Sequence, residues 1–370
     1  MNLKVISEQL QKMIPPGLLD SFAQRFKNGA PATHTSSLRL ACDLGKTKLV
    51  FLEVLKTGEE VQVTRFLKIP RPEEGGDVPA LLKQAQTEGG FQTSKIRISV
   101  KGQGVIIRFV QFPQMSDEEL RGAITFEAEK YIPFKSEEVI VDYHVLEREI
   151  QTVSGKVMNI LLVAVKRDEI YPLIQQYQDA GFQVELIDTD ALAFLNAMEF
   201  LYPEDFQKNT GILDFGSEIS TLGIIRGGKP QFIRDIAFGN QDLVKRLKRK
   251  TKVPFEEVLK QLWQASANPP AELEQALSDS LEPLSADLKV SLDFYSDQMQ
   301  VAEPLQKIFI SGAIGAYPVV SQMFAKIFGF EFAMIDILPK VKIAETLKRE
   351  EVTQMSPIFP IALGLCLRDL

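Results

Sequence analysis

Residues 40–54 read LACDLGKTKLVFLEV, and residues 211–225 read GILDFGSEISTLGII. In the first, an apolar run delivers Asp43 and Gly45 into a short polar turn, and a second apolar run leaves it. The second stretch repeats the device with Asp214, Gly216 and Ser217. Apolar runs bounded by such turns read as paired strands. Outward from the first hairpin, 38–42, 48–54 and 61–68 predict an antiparallel meander. A helix over 78–87 follows, then strands at 95–100 and 105–112. From Gly211 the order restarts, with strands at 211–214, 220–226 and 231–236, helical stretches, a strand at 307–311 and a helix at 318–328. The chain repeats itself at the scale of a domain. That pattern predicts two α/β lobes, with ligands held outside the strand ends.

Between the repeats lies SDEELRGAITFEAEKYI (116–132). Ser116 with Glu119 three residues on has capping-box spacing, and Leu120, Ile124 and Ala128 recur every four residues, so a helix is expected, ended by Pro133. Strands at 139–147 and 157–166 pair across a Gly-containing hairpin. A helix at 168–180 stops at Gly181, and a strand at 183–188 and a helix at 191–201 lead into the repeat. Helices are also expected at 240–250, 255–263, 271–300 and 358–370. Residues 1–26 suggest two amphipathic helices around Pro15 and Pro16, followed by a linker over 27–37, which together form either a loose tail or a docking element.

The 370 residues are 45% hydrophobic and 25% charged, with a net charge of −7, which argues against a nucleic-acid footprint. Cys42 and Cys366 sit in apolar contexts, as buried free thiols of a reducing compartment do. His34 and His144 are far apart, which argues against a histidine metal site. The N-terminus does not read as a secretory signal, and no apolar run reaches the length of a membrane helix. A soluble protein is expected, meeting membrane only through partners.

Glycine in a tight turn lets backbone N–H groups converge on an anion. Thr47, Ser217, Ser220 and Thr221 would add hydroxyl donors, and Lys46 and Lys48 positive charge. Asp43 and Asp214 suit a hydrated Mg²⁺ bridging phosphates, because magnesium keeps waters and takes one or two carboxylates. Each turn alone is equally an ordinary Asp-Gly hairpin; two of them point to a phosphate clamp. A third stretch, IFISGAIGAYPVVSQMF (308–324), places Gly312, Ala313 and Gly315 between strand and helix, either to approach a ligand or to pack a tight turn.

The most specific stretches are FEAEKYIPF (126–134) and EEVIVDYHVL (137–146), supported by FPQMSDEEL (112–120), LLVAVKRDEI (161–170), AGFQVELID (180–188), SLDFYSDQ (291–298) and ALGLCLR (362–368). Together with the hairpins they resemble the PilM family, cytoplasmic actin-like proteins of type IV pilus assembly related to FtsA. The resemblance runs from about residue 38 to the end.

It implies an actin-like (ribonuclease H-like) two-lobed α/β fold, with a first lobe at 38–200, an FtsA-type inserted subdomain at about 111–165, and a second lobe at 201–370. A helical subdomain at about 240–300 and an N-terminal extension at 1–37 complete it. Residues 43–45 and 214–216 become phosphate loops and 312–315 an adenosine loop. ATP would be bound there, with Mg²⁺ held through water by Asp43 and Asp214.

The resemblance further implies binding of the N-terminal tail of a PilN-like inner-membrane protein beside the subdomain, contact with other pilus platform proteins, and a cytoplasmic location peripheral to the membrane. Phe126, Tyr131 and Phe134 fit a groove wall or a core, and Glu127 and Glu129 would set the charge beside it.

Asp188 and Asp190 are the carboxylates available to activate water, or else turn and cap residues. The basic stretch 241–252 is a solvated helix face, a ribose contact or a membrane contact. Three departures from the family pattern bear on nucleotide affinity: Ala313 and Ile314 in the third loop, Lys46-Thr47-Lys48 in the first, and Glu218 in the second. A nucleotide-free adaptor in a related secretion or competence machine therefore stays open, as does, further off, a small-molecule kinase.

Overall fold

The computed structural model describes residues 36–72, 76–153, 155–251, 254, 257–258, 270–299, 303–313 and 317–369. The helices expected over 1–26, the linker expected over 27–37 up to residue 35, most of the helix expected at 255–263, and Gly315 lie outside the described residues. The described chain divides into two compact units. The first holds the residues up to Leu44, Lys48–Ala193, and those from Ala362 on; the second holds Phe194–Ile361 and the turn Gly45–Thr47.

In the first unit, β1 (Ser37–Leu44), β2 (Lys48–Thr57) and β3 (Glu60–Pro70) form the meander. β1 is antiparallel to β2 and parallel to β4 (Lys95–Val100), which is parallel to β8 (Gln183–Thr189), giving the order β3-β2-β1-β4-β8. Leu49, Val50, Phe51 and Leu52 are all fully buried, so both faces of β2 are covered, which explains a run of apolar residues without alternation. α1 (Val78–Glu88), capped by Asp77, buries Leu82 and Ala85. The helix α3, which spans Arg167–Asp179, buries Ile170, Tyr171, Ile174 and Tyr177. Gly181 follows it at φ +94°, a conformation only glycine adopts without strain.

Between β4 and α3 the chain builds a three-stranded antiparallel sheet, β5-β7-β6, from β5 (Val105–Pro113), β6 (Val139–Thr152) and β7 (Gly155–Lys166), with α2 (Asp117–Glu127) against it. Leu120, Ile124 and Ala128 close a separate core on Val110, Phe112, Met158, Ile160 and Leu162. The capping box at Ser116 and Glu119 is present. The helix is shorter than its periodicity suggests: at Ala128 it tightens into a 3₁₀ turn, with Tyr131 N donating to Ala128 O at 2.9 Å. Pro133 disfavours helical backbone at the residue before it, so the last turn closes early.

The second unit repeats the topology. β9 (Thr210–Phe215), β10 (Ser220–Arg226) and β11 (Lys229–Ile236) form its meander, and β12 (Lys307–Ser311) and β13 (Glu331–Met334) add in parallel, in the order β11-β10-β9-β12-β13. α4 (Asp190–Leu201) carries the chain out of the first unit after Ala193. α5 (Asn240–Lys250), α6 (Ala271–Met299) and α7 (Pro318–Phe328) cover the second sheet around Leu213, Phe215, Leu277, Leu284 and Phe324.

Among the described residues the last helix, α8, spans Pro360–Leu367, and its end belongs to the first unit. This differs from a division at 200/201. A Cβ on Gly364 would stand 1.7 Å from Ala193 O, so only glycine permits that approach. The helix's C-terminal carbonyls are taken by guanidinium groups: Arg39 Nη1 donates to Cys366 O at 2.8 Å, and Arg97 Nη1 to Leu365 O at 3.2 Å and to Arg368 O. Helix ends leave such acceptors unmet within the helix, and here two arginines meet them.

Candidate functional site

Each predicted aspartate sits one or two residues before the turn on the strand that begins its unit's sheet. Asp43 pairs in register with Val50, and Asp214 with Thr221. Their surroundings differ. Asp43 is buried, and its Oδ1 lies 3.1 Å from Lys101 Nζ; the same ammonium is 2.6 Å from Oδ2 of Asp190, the first residue of α4. The registers explain the meeting. Cys42 lies beside Ile98, and Val100 beside Thr189, so the ends of β1, β4 and β8 bring Asp43, Lys101 and Asp190 together. Burial pushes the Asp190 carboxyl up to about 6; Lys101 pulls the other way, and Asp43 adds to the rise.

Asp214 Oδ1 instead accepts from Ser311 Oγ at 2.5 Å, the residue in register with it on β12. The turn after it is held by the start of α5. Asn240 Nδ2 donates to Phe215 O at 2.7 Å and Gly216 O at 2.8 Å, and the backbone N–H groups of Asn240 and Gln241 donate to Gly216 O and Ser217 O. A Cβ on Gly216 would stand 2.4 Å from Ile219 O, which is why glycine is required there.

Of the hydroxyls expected to face a ligand, Ser220 donates to Phe238 O and Thr221 to Asp235 Oδ1, each at 2.7 Å. Ser217 Oγ is buried and has no hydrogen-bond partner. Glu218, expected to repel phosphate, lies 3.6 Å from Lys46 Nζ in an exposed pair. Thr47 is half-buried in the first turn, and Lys48 opens β2.

At the third loop, Gly312 has φ +94°, its N donates to Pro357 O at 2.8 Å, and a Cβ on it would meet Phe215 O at 2.2 Å. Packing within the unit therefore accounts for this glycine. Ala313 beside it is exposed, and Gly315 lies outside the described residues.

The two carboxylates considered for water activation separate. Asp188 is fully buried, its Oδ2 2.7 Å from Arg368 Nη1 and its Oδ1 accepting from Thr189 N at 2.8 Å, which commits it to an internal ion pair. Asp190 belongs with Asp43 and Lys101.

The groove residues also separate. Phe126 is 84% exposed. Tyr131 and Phe134 pack against the subdomain core, Tyr131 with its ring centroid 5.8 Å from that of Phe112, and Phe134 beneath Lys166 Nζ at 4.8 Å. Glu127 pairs with Lys130 at 3.1 Å, and Glu129 accepts from Ser136 N at 2.7 Å.

The donor set can be tested against a divalent ion. The first hairpin does not fit one: an ammonium already balances its carboxylates. Among the described residues no group of three or more His, Cys, Asp or Glu is placed to hold a metal. At the second hairpin Asp214 offers a single carboxylate, engaged by Ser311.

Lys101, Ser311 and Asn240 were missed in the sequence. Lys101 does follow a predicted strand, but the order of strands in the sheet, which brings it to Asp43, is not a local feature. Among the described residues no helix is long and apolar enough to cross a membrane.

A chain of a solved PilM-PilN type IV pilus biogenesis complex superposes with a TM-score of 0.74 at 21% identity, covering 91% of this chain and 99% of that one. The ethanolamine utilization protein EutJ from Carboxydothermus hydrogenoformans gives a TM-score of 0.49 at 13% identity, over 98% of this chain and 99% of the other. A Bacteroides thetaiotaomicron protein with an actin-like ATPase fold and unknown function gives 0.45 at 9% identity, over 85% and 96%. The fold is actin-like, with two α/β units of the same ribonuclease H-like strand order. A family model described as type IV pilus assembly protein PilM matches residues 42–370, and the chain belongs to that family.

Proposed function

We propose that this chain is the cytoplasmic scaffold of a type IV pilus inner-membrane platform, and that it binds the N-terminal tail of a PilN-like membrane protein beside the β5-β7-β6 subdomain. The observation that carries the partner reading is Phe126. It is 84% exposed, while Leu120, Ile124 and Ala128 of the same helical segment close the subdomain core. A large exposed aromatic beside a complete core is free to serve as an anchor for another chain. The sheet edges of β5 and β6 offer backbone hydrogen bonds to an extended peptide. The solved relative that supports this choice of partner is itself a PilM-PilN complex. Location at the inner membrane then comes through the partner.

The same scaffold holds ATP through the two hairpins: Gly45, Thr47 and Lys48 from the first, Gly216 and Ser217 from the second. The buried, unpartnered hydroxyl of Ser217 supports an anion at the second. Nucleotide and tail are then linked ligands, each changing the affinity of the other by the same factor.

A second reading, a nucleotide-free adaptor, is favoured by Ala313 in the third loop, which adds an exposed side chain where backbone would approach a nucleotide.

Calorimetric titration of the full chain with a PilN-type tail peptide, with and without ATP, tests all of this. Peptide binding weakened about tenfold or more by Phe126→Ser supports the partner site. Unchanged binding after Phe126→Ser and after Glu127→Lys/Glu129→Lys removes it. ATP heat separates the scaffold from the adaptor.

A further inference from the structure

Three parallel strand ends converge on one atom. β1 contributes Asp43, β4 is followed by Lys101, and β8 is followed by Asp190, with the ammonium 3.1 Å from one carboxylate and 2.6 Å from the other. The two carboxylate side chains are 12% and 11% exposed, while the lysine is 44% exposed. The anionic oxygens are therefore shielded, and the cation is what an incoming ligand meets.

We propose that Lys101 is the built-in counter-ion of the first hairpin: its ammonium balances Asp43 and Asp190 in place of a divalent cation, it receives the phosphates of a nucleotide directly, and its removal opens a divalent-cation site on the two carboxylates. The nucleotide part rests on the reading that the hairpins hold ATP; the latent cation site does not.

Two shielded carboxylates sharing one cation cannot both stay ionised once it is lost, unless another cation enters or a proton binds. Oxygen donors of two carboxylates around a single point, completed by water, are the set that Mg²⁺ and Mn²⁺ accept. Lysine suits the resident role because its ammonium is a compact charge with three donors on a flexible stem. The turn fixes where that stem begins: Gly102 follows at φ +105°, and Val105 N donates to Gly102 O at 3.0 Å.

Mn²⁺ titration of the full chain without nucleotide, read by electron paramagnetic resonance, tests the cation site. Lys101→Met is expected to bind one Mn²⁺ at least about tenfold more tightly than the unsubstituted chain, with Mg²⁺ competing. Lys101→Gln should behave alike, and Lys101→Met/Asp190→Asn should lose the ion again. Equal Mn²⁺ affinity in Lys101→Met, Lys101→Gln and the unsubstituted chain overturns the proposal.

ATP titration of the unsubstituted chain in EDTA and in Mg²⁺ tests the counter-ion directly, independently of how the variants fold. Affinities within about threefold of each other are expected, and a loss of more than about tenfold in EDTA overturns that role while leaving the nucleotide reading intact. Should ATP bind in neither buffer, the nucleotide reading fails, and the Mn²⁺ comparison alone judges the latent site.

Discussion

The two hairpins share a topology and differ in electrostatics. In the first unit every buried aspartate around the strand ends leans on a full positive charge: Asp43 and Asp190 on Lys101, and Asp188 on Arg368. In the second, Asp214 leans on the hydroxyl of Ser311, and a further hydroxyl, that of Ser217, has no partner. The first end is neutralised from within. The second keeps one buried hydroxyl, that of Ser217, without a partner. A repeated fold thus fixes where a carboxylate stands and leaves open what balances it, because the balancing group comes from neighbouring strands whose sequences have diverged.

The comparison breaks first where charge is most deeply buried. Asp188 and the Arg368 side chain are 0% and 2% exposed. Removing one partner of such a pair leaves an uncompensated buried charge, at a cost of about 3–5 kcal/mol. Arg368→Met is expected to lower stability by that amount in urea unfolding, and Asp188→Asn in the same chain should restore most of it. A loss below about 1 kcal/mol would mean that Asp188 is not sustained by charge, and the contrast between the units would weaken.

How much of this was legible in the sequence follows from what is local. The hairpins, the restart at Gly211 and the Ser116–Glu119 capping box are written in short stretches, and each is present. The end of α2 falls a few residues short of its apolar period, because the constraint from Pro133 competes with a period that runs on through Ala128. The partners of Asp43 and Asp188 were not legible. Lys101 stands 58 residues from Asp43, and only the β1–β4 pairing unites them. Gly312 could be seen to matter, but the reason, the carbonyl of Phe215, belongs to the neighbouring strand. The period of Leu120, Ile124 and Ala128 carried through to Tyr131 and left Phe126 off the buried face, a distinction that was legible in the spacing. On α2, Phe126 stands about 200° around the helix from Ile124, away from the stripe of Leu120, Ile124 and Ala128, and the 3₁₀ turn that follows brings Tyr131 against the core.

A smaller effect is expected at Ser311. Its hydroxyl donates to a carboxylate, and hydrogen bonds to charged groups contribute about 1.5–3 kcal/mol. Ser311→Ala should therefore cost about 2 kcal/mol in thermal or urea unfolding, less than Arg368→Met. Ser311→Thr, which keeps the donor, should recover part of it. If Ser311→Ala costs as much as Arg368→Met, the second unit is as dependent on internal compensation as the first.

The smallest effect on stability is expected at Ser217, and it carries the most about function. A buried hydroxyl without a partner loses its hydration and gains nothing, so removing it relieves a penalty of about 1 kcal/mol or leaves stability unchanged. Ser217→Ala is therefore expected to unfold within about 0.5 kcal/mol of the parent, or slightly later. ATP affinity measured on the same variant should fall about threefold to tenfold if the hydroxyl donates to phosphate. The two readings pull apart in opposite directions: a structural hydroxyl would cost stability and spare ATP binding. A clear loss of stability with ATP binding untouched would show that Ser217 finds its partner within the chain, and the second hairpin would then be as closed on itself as the first.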